Sequence, residues 1–257
     1  MPKKELTIYL DIISGFTYVL LERLSVFFEH LPSWRPSADF SIKIELVDLR
    51  ALFARCKNPI PLGIANKGPY LMKEIRWTFK SLDVPFEGAP RDPETNQILP
   101  LDLALALVQL LSTSDDVGFH VVFNVVRAMQ RSFMGAKKSL VTKEDITAAL
   151  APVELDTALL GEWLDKAEEN KDSLLKDVAE NTDKFFASGG FGCPTMVPKV
   201  EGETDEENAI NSNSNNNNDD DMFFFGSDRL EHVAHVLDLE YLPVGKHKSS
   251  PFKPLKL

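Results

Sequence analysis

The chain has 257 residues, 44% hydrophobic and 26% charged, an ordinary globular composition sufficient for one large domain or two smaller ones. A formal net charge of -11 gives no basic footprint for nucleic acid or an anionic membrane. The two cysteines, Cys56 and Cys193, form no CxxC, which excludes a disulfide scaffold and points to a reducing compartment.

The charge is concentrated. Glu201 to Asp221 holds eight acids and no Lys or Arg, so the rest of the chain is close to neutral. The opening MPKKELT lacks the apolar core of a signal peptide. The longest apolar run, Leu103 to Leu111, is about half the ~20 residues of a membrane span. The expectation is a soluble intracellular protein: cytoplasmic, mitochondrial or peroxisomal. The final Leu255-Lys256-Leu257 is close to the SKL peroxisomal address but lacks its small first residue.

Leu6, Ile8 and Leu10 alternate with Thr7 and Tyr9, predicting a strand. Phe16, Leu20, Leu24 and Phe27 recur at helical spacing, predicting a helix from Phe16 to His30. Ile42, Ile44, Leu46 and Asp48 predict a second strand. Strand, helix, strand is a βαβ unit with parallel pairing. Leu52 to Cys56 reads as a short helical turn and Pro69 to Leu82 as a helix. Leu101 to Leu111 is apolar all round and predicts a buried helix. Phe119, Val122, Val126 and Phe133 form the stripe of the next one. Thr142 caps another, with Asp145 three residues on. Leu155 to Trp163 and Lys171 to Ala187 follow. The latter turns Leu175, Val178 and Phe185 inward and ends at Gly189-Gly190.

Strand patterns return at Thr195 to Val200 and Met222 to Phe225. The acidic, Asn-rich stretch between them holds one large aliphatic residue, Ile210, and predicts a disordered loop over 201–221. Gly226-Ser227-Asp228 reads as the cap of a last helix, Arg229 to Leu237, and 246–257 as an extended tail. The expected fold is α/β: a thioredoxin-like domain in two halves, 1–64 and 165–245, with an inserted all-helical domain at 65–164.

Four stretches, DIISGFTY, KNPIPLGIANKGPYLMKEI, GGFGCPTMV and FFFGSDRLEHVAHVL, together resemble the kappa-class glutathione transferases. They equally resemble the related 2-hydroxychromene-2-carboxylate isomerases of the DsbA-like branch of the thioredoxin superfamily. Asp11 and Ser14 match the family's first motif, whereas Gly15, Phe16 and Thr17 depart from its Pro, Tyr and small residue. The resemblance implies glutathione as substrate or cofactor, and a homodimer. It places Ser14 at the glutathione sulfur, with Phe16 beside it. Asn58 falls at a glutathione-contacting position, and Cys193 and Pro194 at the cis-proline turn. Ser227 and Asp228 fall where the γ-glutamyl end is held. The family often carries an Asn and an Arg in the first long helix of its helical block; Leu101 to Leu111 has neither.

Each position has two readings from its residue type. Ser14 sits at a strand-to-helix turn, where it caps the helix or donates its hydroxyl to a thiolate at the helix N-terminus. Cys193-Pro194 is an ordinary strand start, or a turn whose main chain pairs with an extended peptide. Cys193 itself reads as a small packing residue. Ser227 and Asp228 cap a helix or receive the carboxylate and ammonium of a ligand. Asn58 and Lys67 are surface loop residues or ligand contacts. The five histidines show no metal-ligand spacing.

Three functions follow. The first is an enzyme that joins glutathione to a small hydrophobic electrophile, or that uses glutathione for isomerisation. The second, a disulfide oxidoreductase, needs two redox thiols where the chain has Ser14 and Thr17. The third is a glutathione-binding protein without catalysis.

Overall fold

The computed structural model describes residues 2–201 and 223–243. Its centre is a four-stranded sheet. Strands β1 (Lys4–Leu10) and β2 (Phe40–Leu46) carry alternating aliphatic side chains and pair in parallel, with Leu6 beside Ile42, Ile8 beside Ile44 and Leu10 beside Leu46. Strand β3 (Thr195–Val200) runs antiparallel along the other side of β1, with Met196 opposite Ile8. The two-residue β4 (Phe224–Phe225) closes that edge, giving the order β2-β1-β3-β4. Leu6, Ile8 and Leu10 are fully buried. Tyr9 points to the opposite face and stacks on Phe185 at 4.3 Å.

Helix α1 (Gly15–His30) connects the parallel strands and is buried along every residue from Thr17 to Leu24. Helix α2 is Leu49–Arg55. The second strand ends at Leu46, so Asp48 is not its last residue. Asp48 is instead the cap of α2, its Oδ1 accepting the Arg50 and Ala51 amides at 2.8 and 3.0 Å. A carboxylate satisfies two orphan amides there better than it would sit in a strand.

The chain then forms α3 (Lys67–Leu82), α4 (Asp102–Ser112), α5 (Phe119–Gln130), α6 (Lys143–Leu150) and α7 (Thr157–Glu169). Between β2 and β3 the described residues form no strand, only an isolated bridge of Arg91 with Ile98. A π-helical turn, Arg131–Gly135, extends α5. Thr142 and Asp145 make a reciprocal capping box on α6. Helix α7 starts two residues later than the apolar pattern suggested, because Asp156 caps it through the Leu159 amide at 2.9 Å.

Helix α8 (Lys171–Ala187) buries Leu174, Val178, Thr182 and Phe185, which share one face. Leu175, expected inward, lies one position off that face and is half-buried. Helix α9 is Leu230–Val236. Gly226-Ser227-Asp228 does not cap it: Arg229 is the capping position and no side-chain cap bond forms. The three residues form the preceding turn, in which Gly226 takes φ +107, a conformation open to glycine. The predicted disorder of 201–221, apart from Glu201, the tail 246–257 and the strand position Met222 lie outside the described residues.

One continuous apolar core joins sheet and helices, running from Ile8 through Leu24 to Leu107, Phe123 and Leu160. At about 1.5–3 kcal/mol per buried large side chain, it holds the inserted helices against α1. This is an α/β thioredoxin-like fold with a helical insertion.

Candidate active site

The site forms where β1 and β2 end. Both strands release their chains into helices at the same edge, and Asp11 ties the two exits together. Its Oδ1 accepts the Ile13 amide at 2.9 Å and its Oδ2 the Leu49 amide at 2.8 Å. Asp11 is buried, and that burial raises its carboxyl to about 6 despite the two amides.

Ser14 follows, buried, as the cap of α1. Its Oγ accepts the Thr17 amide at 3.3 Å and donates to the Cys193 carbonyl at 3.3 Å. The hydroxyl therefore faces a turn 179 residues away in sequence, at the positive end of a sixteen-residue helix. The Cys193-Pro194 peptide is cis. The Pro194 carbonyl accepts the Gly226 amide at 2.9 Å, which brings the Ser227–Asp228 turn alongside.

The structure thus joins Ser14 to the Cys193–Pro194 turn, and Ser227 follows the Gly226 that this turn bonds. Phe16 lies half-buried on the first turn of α1. Cys193 packs in a small apolar cluster with Val47, Leu52 and Phe185, and burial pushes its thiol well up. That is the environment of a packing residue and not of a reactive thiol. Asp228 is exposed, 3.4 Å from the Arg229 guanidinium. Asn58 is exposed on the loop after α2, its amide donating to the Phe53 carbonyl at 3.0 Å, and Lys67 is exposed as the first residue of α3. Among the described residues no hydrogen bond connects Asn58 or Lys67 to Ser14 or to the Cys193–Pro194 turn.

Gly15 lies close against the movable tip of a side chain on α3. A Cβ there would lie 2.4 Å from Cδ1 of Ile75 on α3. The apolar wall continues through Phe86, stacked on Phe79 at 4.5 Å.

Several residues that hold the site do not stand out in the sequence. Gln130, fully buried on α5, donates through Nε2 to the Ile12 and Ser14 carbonyls at 3.2 Å each. Two turns further along α1 sits a buried charge cluster. Glu22 accepts two bonds from Arg127, at 3.0 and 2.9 Å, and two from Arg131, at 2.7 and 2.6 Å. Burial alone would raise the Glu22 carboxyl, but the Arg131 and Arg127 bonds and charges overcome it and hold it at about 2. A partial signal was present: Arg127, Gln130 and Arg131 interrupt the face of an otherwise apolar helix at spacings of three and four. Among the described residues no three His, Cys, Asp or Glu side chains converge to hold a metal ion. No described helix is long and apolar enough to cross a membrane.

A hydroxyl at a helix N-terminus, facing a cis-proline turn on a four-stranded mixed sheet with inserted helices, defines a thioredoxin-like protein. The model of the DSBA-like thioredoxin domain matches residues 5–238, and the chain belongs to that family. It is 21% identical to glutathione S-transferase kappa 1 of Rattus norvegicus, over 92% of either chain. Its fold is similar to that of a 2-hydroxychromene-2-carboxylate isomerase, with TM-score 0.55 and 15% identity over 91% of this chain and 94% of that one. It is also similar to the cytosolic disulfide reductase DsbM from Pseudomonas aeruginosa with GSH, with TM-score 0.50 and 13% identity over 76% and 88%.

Proposed function

We propose that the protein is a glutathione transferase of kappa type, which adds the glutathione thiolate to a small hydrophobic electrophile. The observation that carries this reading is the Ser14 hydroxyl, held at the N-terminus of α1 and aimed at the Cys193 carbonyl. A hydroxyl has one proton to donate. When a thiolate sulfur takes it, the Cys193 carbonyl becomes free to accept an amide of the bound peptide. The charge-assisted bond and the helix dipole both favour thiolate over thiol. Ser14 is then a donor to sulfur, and the attacking atom is the sulfur itself. A thiol of ordinary pKa ~8.5 is only a few per cent ionised at neutral pH, so this preference sets the rate of addition.

Phe16, Asn58, Cys193, Pro194, Ser227 and Asp228 complete the glutathione site in this reading. Cys193 and Pro194 offer main-chain atoms, and the Ser227–Asp228 turn receives the γ-glutamyl end. The half-exposed rings of Phe191 and Phe225, 4.9 Å apart, supply apolar surface beside the turn for the electrophile. The relative from Rattus norvegicus, matched along nearly its whole length, supports the transferase. The disulfide reductase DsbM, solved with GSH, supports glutathione as a ligand of this fold. Thr17 and Ser14 stand where a dithiol enzyme needs two thiols, which disfavours disulfide exchange. The reading also carries a homodimer, in which a second copy would cover exposed Ile60, Leu62, Tyr70 and Trp77 on and beside α3.

The test is retention on immobilised glutathione together with conjugation of a chlorodinitrobenzene. Retention with turnover is expected. Retention without turnover across several electrophiles would leave a binding protein, and no retention would remove glutathione from the account.

A further inference from the structure

Helix α1 carries a second charged residue with no part in the cluster around Glu22. Arg23 is 6% exposed. Its Nη1 donates to the Ser227 carbonyl at 2.5 Å, so the guanidinium lies directly beneath the turn before α9. Its Nη2 is buried and has no hydrogen-bond partner. None of the ion pairs among the described residues includes it. A guanidinium keeps its proton in proteins, so this is a buried positive charge without a bonded counter-ion.

Such a charge is costly unless an anion meets it. Burial opposes it here, and Tyr241, whose side chain also hydrogen-bonds the guanidinium, favours it ahead of Asp228, so that Nη2 alone is left without a partner. Asp228 does not close the pair: its carboxylate is exposed and lies 3.4 Å from Arg229 instead. The turn that the guanidinium underlies has a buried Ser227 and a carboxylate on its outer side. A zwitterion suits it, with its ammonium toward Asp228 and its carboxylate over Arg23.

We propose that Arg23 is the positioning residue that fixes the α-carboxylate of the γ-glutamyl group above the Ser227–Asp228 turn. The proposal rests on the glutathione reading given above. Arg23 acts through the Ser227 main chain and through its charge across the turn. A purely structural tie of Ser227 to α1 would hold the turn equally for any ligand. A charge effect discriminates between ligands with and without that carboxylate.

The experiment is calorimetric titration with two probes, glutathione and γ-aminobutyryl-cysteinyl-glycine, which lacks only the α-carboxylate. The native protein should bind glutathione the more tightly. Arg23→Met should weaken glutathione about tenfold and leave the analogue within about twofold, so that the preference collapses. Arg23→Lys keeps the charge, loses the fork, and should retain most of the preference; it also serves if Arg23→Met does not fold. Equal weakening of both probes by Arg23→Met, or a preference abolished in a folded Arg23→Lys, would overturn the proposal. Failure of both probes to bind the native protein is a different result, and removes the glutathione reading itself.

Discussion

Replacing Glu22 by Gln removes the anion between Arg127 and Arg131, and the structure sets the size of the effect. The carboxyl is fully buried, and the two arginines lower it from an ordinary 4.5 to about 2. A displacement of that size corresponds to roughly 3 kcal/mol of native-state stability. Breaking a buried ion pair by neutralising one member brings the expected cost to about 3–5 kcal/mol at neutral pH. The sign with pH follows from the direction of the shift. A carboxyl depressed in the folded state stabilises fully above its unfolded value, and the stabilisation is lost as pH falls from 4.5 toward 2. The native protein should therefore lose about 2 kcal/mol more than Glu22→Gln on going from neutral pH to about pH 3. Urea unfolding followed by tryptophan fluorescence at several pH values measures both quantities. Parallel pH profiles, or a loss below about 1 kcal/mol at neutral pH, would refute the view that this cluster clamps α1 to α5.

Gln130→Leu strips the donor from the buried Ile12 and Ser14 carbonyls and should cost about 2 kcal/mol, with kcat for conjugation falling and KM nearly unchanged. Chemical unfolding and steady-state kinetics check this, and a variant unchanged in both would show that other contacts hold the Ser14 turn. Thr17→Val goes the other way. The Thr17 hydroxyl is buried and unpartnered, so the isosteric change should leave stability equal or raise it by up to about 1 kcal/mol. A lowered unfolding midpoint would mean that the hydroxyl has a partner.

Most of the fold was legible because the apolar side chains alternate cleanly in β1, β2 and β3 and recur at helical spacing in α4, α5 and α8. The errors fell where polar groups act on the main chain. Asp48 continued the alternation of β2 yet serves as a helix cap, since a carboxylate with two free amides ahead outweighs one more strand pairing. Gly226-Ser227-Asp228 had the composition of a cap, but the positive φ of Gly226 turns the chain so that Arg229 takes that position. Leu174 and Leu175 are adjacent leucines; Leu174, with Thr182, keeps the spacing that faces the core. Ser14 and Cys193-Pro194 were readable as a pair only through the family motifs, because 179 residues separate Ser14 from the carbonyl it meets. Gln130 and its flanking arginines showed only as an interruption of an apolar face. Glu22 and Arg23 gave no sign of their burial, since a charged residue in a helix is usually on its solvated face. Only the packing of α1 against α5 and the α9 turn puts these side chains inside.

The central claim is that Ser14 stabilises a bound thiolate, and ultraviolet titration of the thiol of bound glutathione tests it most directly. With native protein the thiol should ionise about one to two units below its free value of ~8.5. With Ser14→Ala it should return most of the way while glutathione still binds. The same depressed value in both proteins, with binding intact, would contradict the account and leave Ser14 as no more than the cap of α1.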